Sequence, residues 1–166
     1  ASLDEIDEPI DLAVIVVADS LVLDTVKRCT AKRIPAGIVI TAGFSETGQA
    51  GASLEREIVA AARTGGMRLV GPNTMGVYSG YPTIMHALMG SMPLQPGGVA
   101  LVVQSGNLGS SISYRFLRRK VGISRLISSG NEADLKLEDF LEYLEHDEKT
   151  RIICLYVEGL RDPRRF

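Results

Sequence analysis

Residues 97–113 read GGVALVVQSGNLGSSIS, and the fold class follows from this stretch. Residues 99–103 form an unbroken aliphatic run, the pattern of a buried strand. A glycine-bearing turn follows, and then residues 106–119 carry Leu108, Ile112 and Phe116 at helical spacing. A buried strand feeding an amphipathic helix is the repeating unit of a parallel α/β sheet. The turn also has chemical potential. Gly106 and Gly109 allow close approach of the backbone, and the free N–H groups and dipole of a helix start favour an oxyanion. Ser105, Asn107 and Ser110 can add side-chain hydrogen bonds. Residues 102–113 are therefore read as a unit built to hold an anion, phosphate above all. The plainer alternative is a serine-capped helix start with no ligand. The turn is neither a P-loop, which needs Gly-Lys-Ser/Thr, nor a GxGxxG dinucleotide fingerprint.

The same alternation extends both ways from this unit. Towards the C-terminus come a strand over 123–128, a helix over 135–146 with Leu137, Phe140, Leu141 and Leu144 inward, and a strand over 151–157. Towards the N-terminus, 12–18 (LAVIVVA) reads as a strand buried on both faces. Ser20 then caps a helix with Val22, Val26 and Cys29 inward, followed by a strand over 36–41. A helix over 52–63 with Leu54, Ile58 and Ala61 inward precedes a short strand over 67–70 and the turn Gly71-Pro72-Asn73. Helices of this length between strands imply right-handed crossovers. The fold class is α/β, doubly wound and mostly parallel, in two consecutive units. Residues 78–96, with three prolines and three methionines, read as a loose connector, so the chain divides into 1–80, 81–96 and 97–166. Asp162-Pro163 starts a helix that has no body, and the first residues run straight into a strand, so a piece of a longer chain is expected.

Composition narrows the function classes. The 166 residues are 45% hydrophobic and 23% charged, with a net charge of −2 and 5% aromatics. That balance is globular and offers neither the basic surface nor the stacking rings of a nucleic-acid binder. No apolar run approaches the roughly 20 residues that span a bilayer. Cys29 and Cys154 lack metal-ligand spacing and read as two buried thiols, consistent with a cytoplasmic location. No metal site is expected in this chain.

In open parallel sheets ligands bind beyond the carboxyl ends of the strands. Besides the turn at 104–110, that rule selects four loops. Glu132 and Asp134, in Ser128–Asp134, read as caps of the next helix rather than cation ligands. Glu158, just past the strand over 152–157 and beside Gly159, can orient a histidine or accept a proton, or be an ordinary solvated acid. Thr41-Ala42-Gly43-Phe44 and Gly71-Pro72-Asn73 occupy the equivalent strand ends of the first unit. Neither His86 nor His146 looks catalytic. The acids Glu138, Asp139, Glu142, Glu145, Asp147 and Glu148 read as a solvated helix face, and Arg161, Arg164 and Arg165 as surface.

The segments VITAGFSETG (39–48), GPNTMGV (71–77), GGVALVVQSGNLG (97–109), SSGNEADL (128–135) and LYVEGLRDPRRF (155–166) together resemble the NDP-forming acyl-CoA synthetases, in particular the ADP-forming acetyl-CoA synthetases and the α subunit of succinyl-CoA synthetase. The resemblance implies that the first unit is the later part of a CoA-binding Rossmann domain, with Ile40, Thr41 and Ala42 contacting CoA. Gly71, Pro72 and Asn73 would lie near the pantetheine end. It implies a flavodoxin-like ligase domain next, where Ser105, Gly106 and Asn107 face a phosphate carried on a histidine and Glu158 orients that histidine. The implied reaction interconverts acyl-CoA, phosphate and ADP or GDP with acid, CoA and ATP or GTP, through acyl phosphate and phosphohistidine. ATP/ADP or GTP/GDP with Mg2+ would sit on a separate ATP-grasp domain or β subunit, and the intact enzyme would be an oligomer. The histidine would lie beyond Phe166 and the glycine-rich CoA turn before Ala1. Ser110 replaces the substrate-contacting tyrosine of succinyl-specific members, which weighs against succinate. Asp19, in a Val-Ala-Asp that departs from the usual Val-Pro-Ala, inherits no CoA contact. The alternative function is a CoA- or acyl-CoA-sensing module of a protein lysine acetyltransferase. A generic NAD-binding Rossmann protein would need the GxGxxG spacing that the chain lacks.

Overall fold

The computed structural model describes residues 3–166. Strands β1 (Leu12–Ile15), β2 (Ala36–Val39) and β3 (Arg68–Val70) form a parallel three-stranded sheet in that order. Helices α1 (Asp19–Ala31) and α2 (Gln49–Thr64) make the two crossovers. Both crossovers step the same way, and both helices share one core with Ile15, Val39 and Leu69. Val22, Val26 and Cys29 are buried at the spacing the sequence shows, and burying an aliphatic side chain of this size contributes about 1.5–3 kcal/mol. In α2 the buried residues are Gly51, Ile58 and Ala62, with Leu54 and Ala61 packed at the margin.

Two expectations for this unit change. The 12–18 run is a strand only to Ile15, and Val14 is 47% and Val16 67% exposed. β1 is an edge strand, and the helices cover one of its faces. Ser20 does not cap α1. The cap position is Ala18, whose carbonyl accepts from Leu21 N–H, and Asp19 accepts from the Ser20 N–H at 2.7 Å.

The second sheet has five strands, in the order β5 (Met85–Leu88), β4 (Gly76–Ser79), β7 (Ile123–Ser128), β6 (Pro96–Val103) and β8 (Ile152–Tyr156). Its parallel part comprises β6 (Pro96–Val103), β7 (Ile123–Ser128) and β8 (Ile152–Tyr156). Alternate residues of β6 serve opposite faces. Leu101 and Val103 pack with Ile112 and Phe116 of α3 (Gly106–Arg118), and Ala100 and Val102 with Leu137, Phe140 and Leu144 of α4 (Leu137–Glu145). Residues 78–96 are not loose. β4 (Gly76–Ser79) and β5 (Met85–Leu88) pair antiparallel with each other, and β4 pairs antiparallel with β7. Tyr78, Met92 and Leu94 are buried against β6 and β7. The sheet is therefore mixed, and β4 follows the first unit's last strand directly into the second unit's sheet.

Long-range contacts also revise the expected solvated face of α4. Glu138 is 2% exposed, and its Oε1 accepts from the Asp162 N–H at 3.1 Å. Asp147 pairs with Arg125 at 3.1 Å, and Arg165 reaches Asp139 and Glu142. Cys29 is buried and Cys154 half-buried, both as free thiols. No helix among the described residues is long and apolar enough to cross a membrane.

Candidate functional site

The carboxyl ends of β6, β7 and β8 lie at one edge, held there by backbone bonds from Ser129 N–H to Val103 and from Gln104 N–H to Tyr156. A cleft of about 650 Å³ opens beside this edge. The second unit supplies Gln104, Ser105, Gly106, Asn107, Ser110 and Glu158 to its wall, and the first supplies Ile40, Ala42 and Asn73. Thr74 and Met75, from the strap between β3 and β4, and Met89 after β5 complete it. Gln104 and Glu158 also border a neighbouring cavity of about 310 Å³ that reaches Gly130, Glu132 and Arg161. A larger cleft, about 760 Å³, lies at the far end of α3 and is walled by Arg115, Phe116, Arg118 and Arg119 of that single helix end.

The start of α3 is built as the sequence implied. Ser105 is the cap, extended at φ −91° and ψ 115°, and its hydroxyl accepts from the Leu108 N–H at 3.4 Å. A Cβ on Gly109 would lie 2.6 Å from Val103 Cγ2, so glycine is what lets α3 sit this close to β6. Ser110 donates back to the Gly106 carbonyl at 3.1 Å, which keeps its hydroxyl at the wall of the cleft. Ser105 takes the N–H groups of Leu108 and Gly109, so the first-turn N–H groups left for an anion at the cleft are those of Gly106 and Asn107, which line it.

Gln104 ties this turn to Glu158. Its Oε1 accepts from the Glu158 N–H and, at 3.0 Å, from the Gly159 N–H. Its Nε2 donates to the Gly159 carbonyl at 2.7 Å and to Glu132 Oε1 at 3.0 Å. Glu132 also accepts from the Ser129 hydroxyl at 2.7 Å and is 3% exposed. Neither Glu132 nor Asp134 caps a helix, contrary to what their place before α4 implies. The residue before α4 is Lys136, whose N–H is bound by Asp139 at 2.9 Å. Asp134, 1% exposed, instead receives Arg63 Nε at 2.7 Å, Arg68 Nε at 2.9 Å and the Leu69 N–H at 2.8 Å. Burial pushes its carboxyl up, but these donors outweigh burial and hold it below the usual aspartate range.

The first-unit residues divide by position. Ile40, Ala42 and Asn73 line the cleft, whereas Thr41, Gly71 and Pro72 are not part of its lining. Thr41 donates its hydroxyl to the Val17 carbonyl at 2.7 Å and receives the Asn73 N–H on its own carbonyl. The Gly71 and Pro72 carbonyls accept from Ala133 and Asn131 of the second unit. Asn131 adds side-chain bonds to Asn73, Glu46 and Glu55. Glu46 is pushed up by burial, yet the Gly43 N–H and the Asn131 amide hold it below the usual glutamate range. Residues without a prior assignment are Gln104, Thr74, Met75 and Met89. Gln104 stood inside the phosphate turn, Thr74 and Met75 just after the Gly-Pro-Asn turn, and nothing local marks Met89. Among the described residues, no group of three or more His, Cys, Asp or Glu side chains is placed to hold a metal ion.

The family model described as a CoA binding domain matches residues 1–80, and that of the succinyl-CoA ligase like flavodoxin domain matches residues 96–166. The α subunit of acetate–CoA ligase [ADP-forming] II from Pyrococcus furiosus is 39% identical over 165 residues, 99% of this chain and 36% of that protein. The chain belongs to the NDP-forming acyl-CoA synthetase family. Two solved structures are similar to the chain over part of their own length. A crystal structure from Pyrococcus horikoshii OT3 superposes with a TM-score of 0.94 at 39% identity, over 99% of this chain and 38% of that one. The dinucleotide forming acetyl-coenzyme A synthetase 1 of Ca. Korarchaeum cryptofilum, solved in complex with phosphate and ADP, superposes at 0.91 with 34% identity. There the match spans 98% of this chain and 34% of that one. The synthetase chain thus spans little more than a third of each of these relatives.

Proposed function

We propose that this chain is part of an NDP-forming acid–CoA ligase. The enzyme would interconvert acyl-CoA, phosphate and ADP or GDP with acid, CoA and ATP or GTP, through acyl phosphate and phosphohistidine. Residues 1–80 are assigned to CoA and 97–166 to phosphoryl handling, and 81–96 carry the chain between them as part of the second sheet and its core. One observation carries the reading. The capped start of α3 and Glu158 open on the same cleft as Ile40, Ala42 and Asn73, whose strand ends belong to the CoA-type unit.

The residues fit both groups. Ile40, Met75 and Met89 offer an apolar wall suited to the thiol end of CoA, with Asn73 as a polar contact, and Thr41, Gly71 and Pro72 fix the flanking loops through their hydrogen bonds. CoA supplies the thiol that exchanges with the acyl group. Ser105, Gly106 and Asn107 present helix-start N–H groups and side-chain donors to a phosphoryl group. Such fixed donors stabilise transferring phosphoryl oxygens without rearranging during the step. Glu158 is exposed at the cleft mouth and is assigned to hold a histidine supplied from outside these residues. ATP/ADP or GTP/GDP with Mg2+ would bind an ATP-grasp domain or β subunit, in an oligomeric cytoplasmic enzyme. The full-length protein, incubated with ATP radiolabelled at the γ-phosphate, should carry base-stable, acid-labile label on a histidine. A folded, intact protein that takes up no such label would refute the assignment.

A further inference from the structure

We infer that Glu132 is a positioning residue, which sets Glu158 through the side-chain amide of Gln104. The inference rests on the reading of Glu158 given above. The Glu158–Gly159 backbone is exposed and lies at a sheet edge, so a carboxyl there needs an external reference to be held in place. Gln104 is that reference, because its single amide grips both N–H groups and the Gly159 carbonyl.

An amide can do this in one orientation only. Turned over, the NH2 of Gln104 would face two N–H donors and its oxygen would face a carbonyl. Glu132 Oε1 anchors the amide in that orientation from the opposite side by accepting the remaining Nε2 hydrogen at 3.0 Å. Glu132 is itself fixed from several sides. Ser129 Oγ donates to the same oxygen at 2.7 Å, and Ser129 N–H is bonded to Val103 of β6. The flanking N–H groups of Asn131 and Ala133 are bonded to Pro72 and Gly71 of the first unit. Glu132 has φ 57°, a left-handed backbone that a residue with a Cβ adopts when its surroundings require it. Its second oxygen is buried without a hydrogen-bond partner among the described residues. Strain and an unpartnered oxygen at one side chain mark a position kept for what Oε1 does.

The test compares Glu132→Leu and Glu132→Gln in the full-length protein by hydrogen exchange of the peptide covering residues 156–160, alongside steady-state kinetics. Glu132→Leu removes the acceptor, and exchange of the Glu158 and Gly159 amides should rise about tenfold. Turnover should fall about tenfold or more, with KM for CoA and for the acid held within about twofold. Glu132→Gln can still offer an oxygen to Gln104 and should restore both readouts towards wild type. Unchanged exchange in Glu132→Leu, or a Glu132→Gln variant as impaired as Glu132→Leu, overturns the inference. If Glu132→Leu fails to fold, Gln104→Met is measured on the same amides, and protection equal to wild type overturns it. A wild-type protein with neither ligase turnover nor labelled histidine refutes the reading of Glu158, while the exchange result still decides the relay.

Discussion

At Gly130 the backbone runs at φ 62°, and a Cβ there would lie 2.2 Å from the Pro72 carbonyl oxygen. Both units meet at this point, so Gly130→Ala should destabilise the protein by about 2–3 kcal/mol through combined strain and clash. Gly159, where nothing lies within 4 Å of a built Cβ, should accept alanine within about 0.5 kcal/mol. Chemical denaturation of the two variants checks the contrast. Single residues were also where the sequence was least legible. Glu138, one residue into α4, looks like any first-turn acid, yet it is buried and accepts from the Asp162 N–H, a partner 24 residues away. Glu132 and Asp134 stand before a helix, as caps do, but their partners Gln104, Arg63 and Arg68 are distant in sequence. Burial of a polar group decided by non-local contacts leaves no trace in local spacing.

Among elements, α3 joins a structural cap to a chemical one. Ser105→Ala removes an acceptor and should cost about 1 kcal/mol of stability. Ser105→Asp keeps a good cap but adds negative charge where a phosphoryl group is to sit. Its melting temperature should stay near wild type while histidine labelling is lost; retained labelling would remove the anion from this turn. The helices with a clear apolar stripe, such as Val22, Val26 and Cys29 in α1, were readable because their burial repeats with the helical period. The strands β4 and β5 were not. Each has four residues, they lie among Gly76, Gly80 and Pro82, and their partners are set by antiparallel pairing with each other and with β7. The first half of the cleft was legible from strand ends alone, whereas Met89 entered it through this hairpin.

At the scale of the molecule, Asp134 fastens the two units, since it belongs to the loop after β7 and binds α2 and β3 of the first. Its folded pKa lies below the ordinary value, so its contribution is complete above the unfolded aspartate pKa of about 3.9 and is lost as pH falls through the folded value. Asp134→Asn should cost about 2 kcal/mol at neutral pH, and the gap to wild type should close below about pH 4. Denaturation curves recorded from pH 7 downwards, on both proteins, measure that gap. The strap between β3 and β4 carries a further consequence. It consists of residues 71–75 alone, and it passes from one sheet into the next while lining the cleft. Thr74 is bonded to the Ser128 carbonyl, so the strap is riveted at its far end as well. The two walls therefore act as a fixed anvil and not as a jaw. The spacing of the two walls is thus set by the same short strap and hydrogen bonds that build the fold, so a variant that loosens the strap should change the cleft and the stability together.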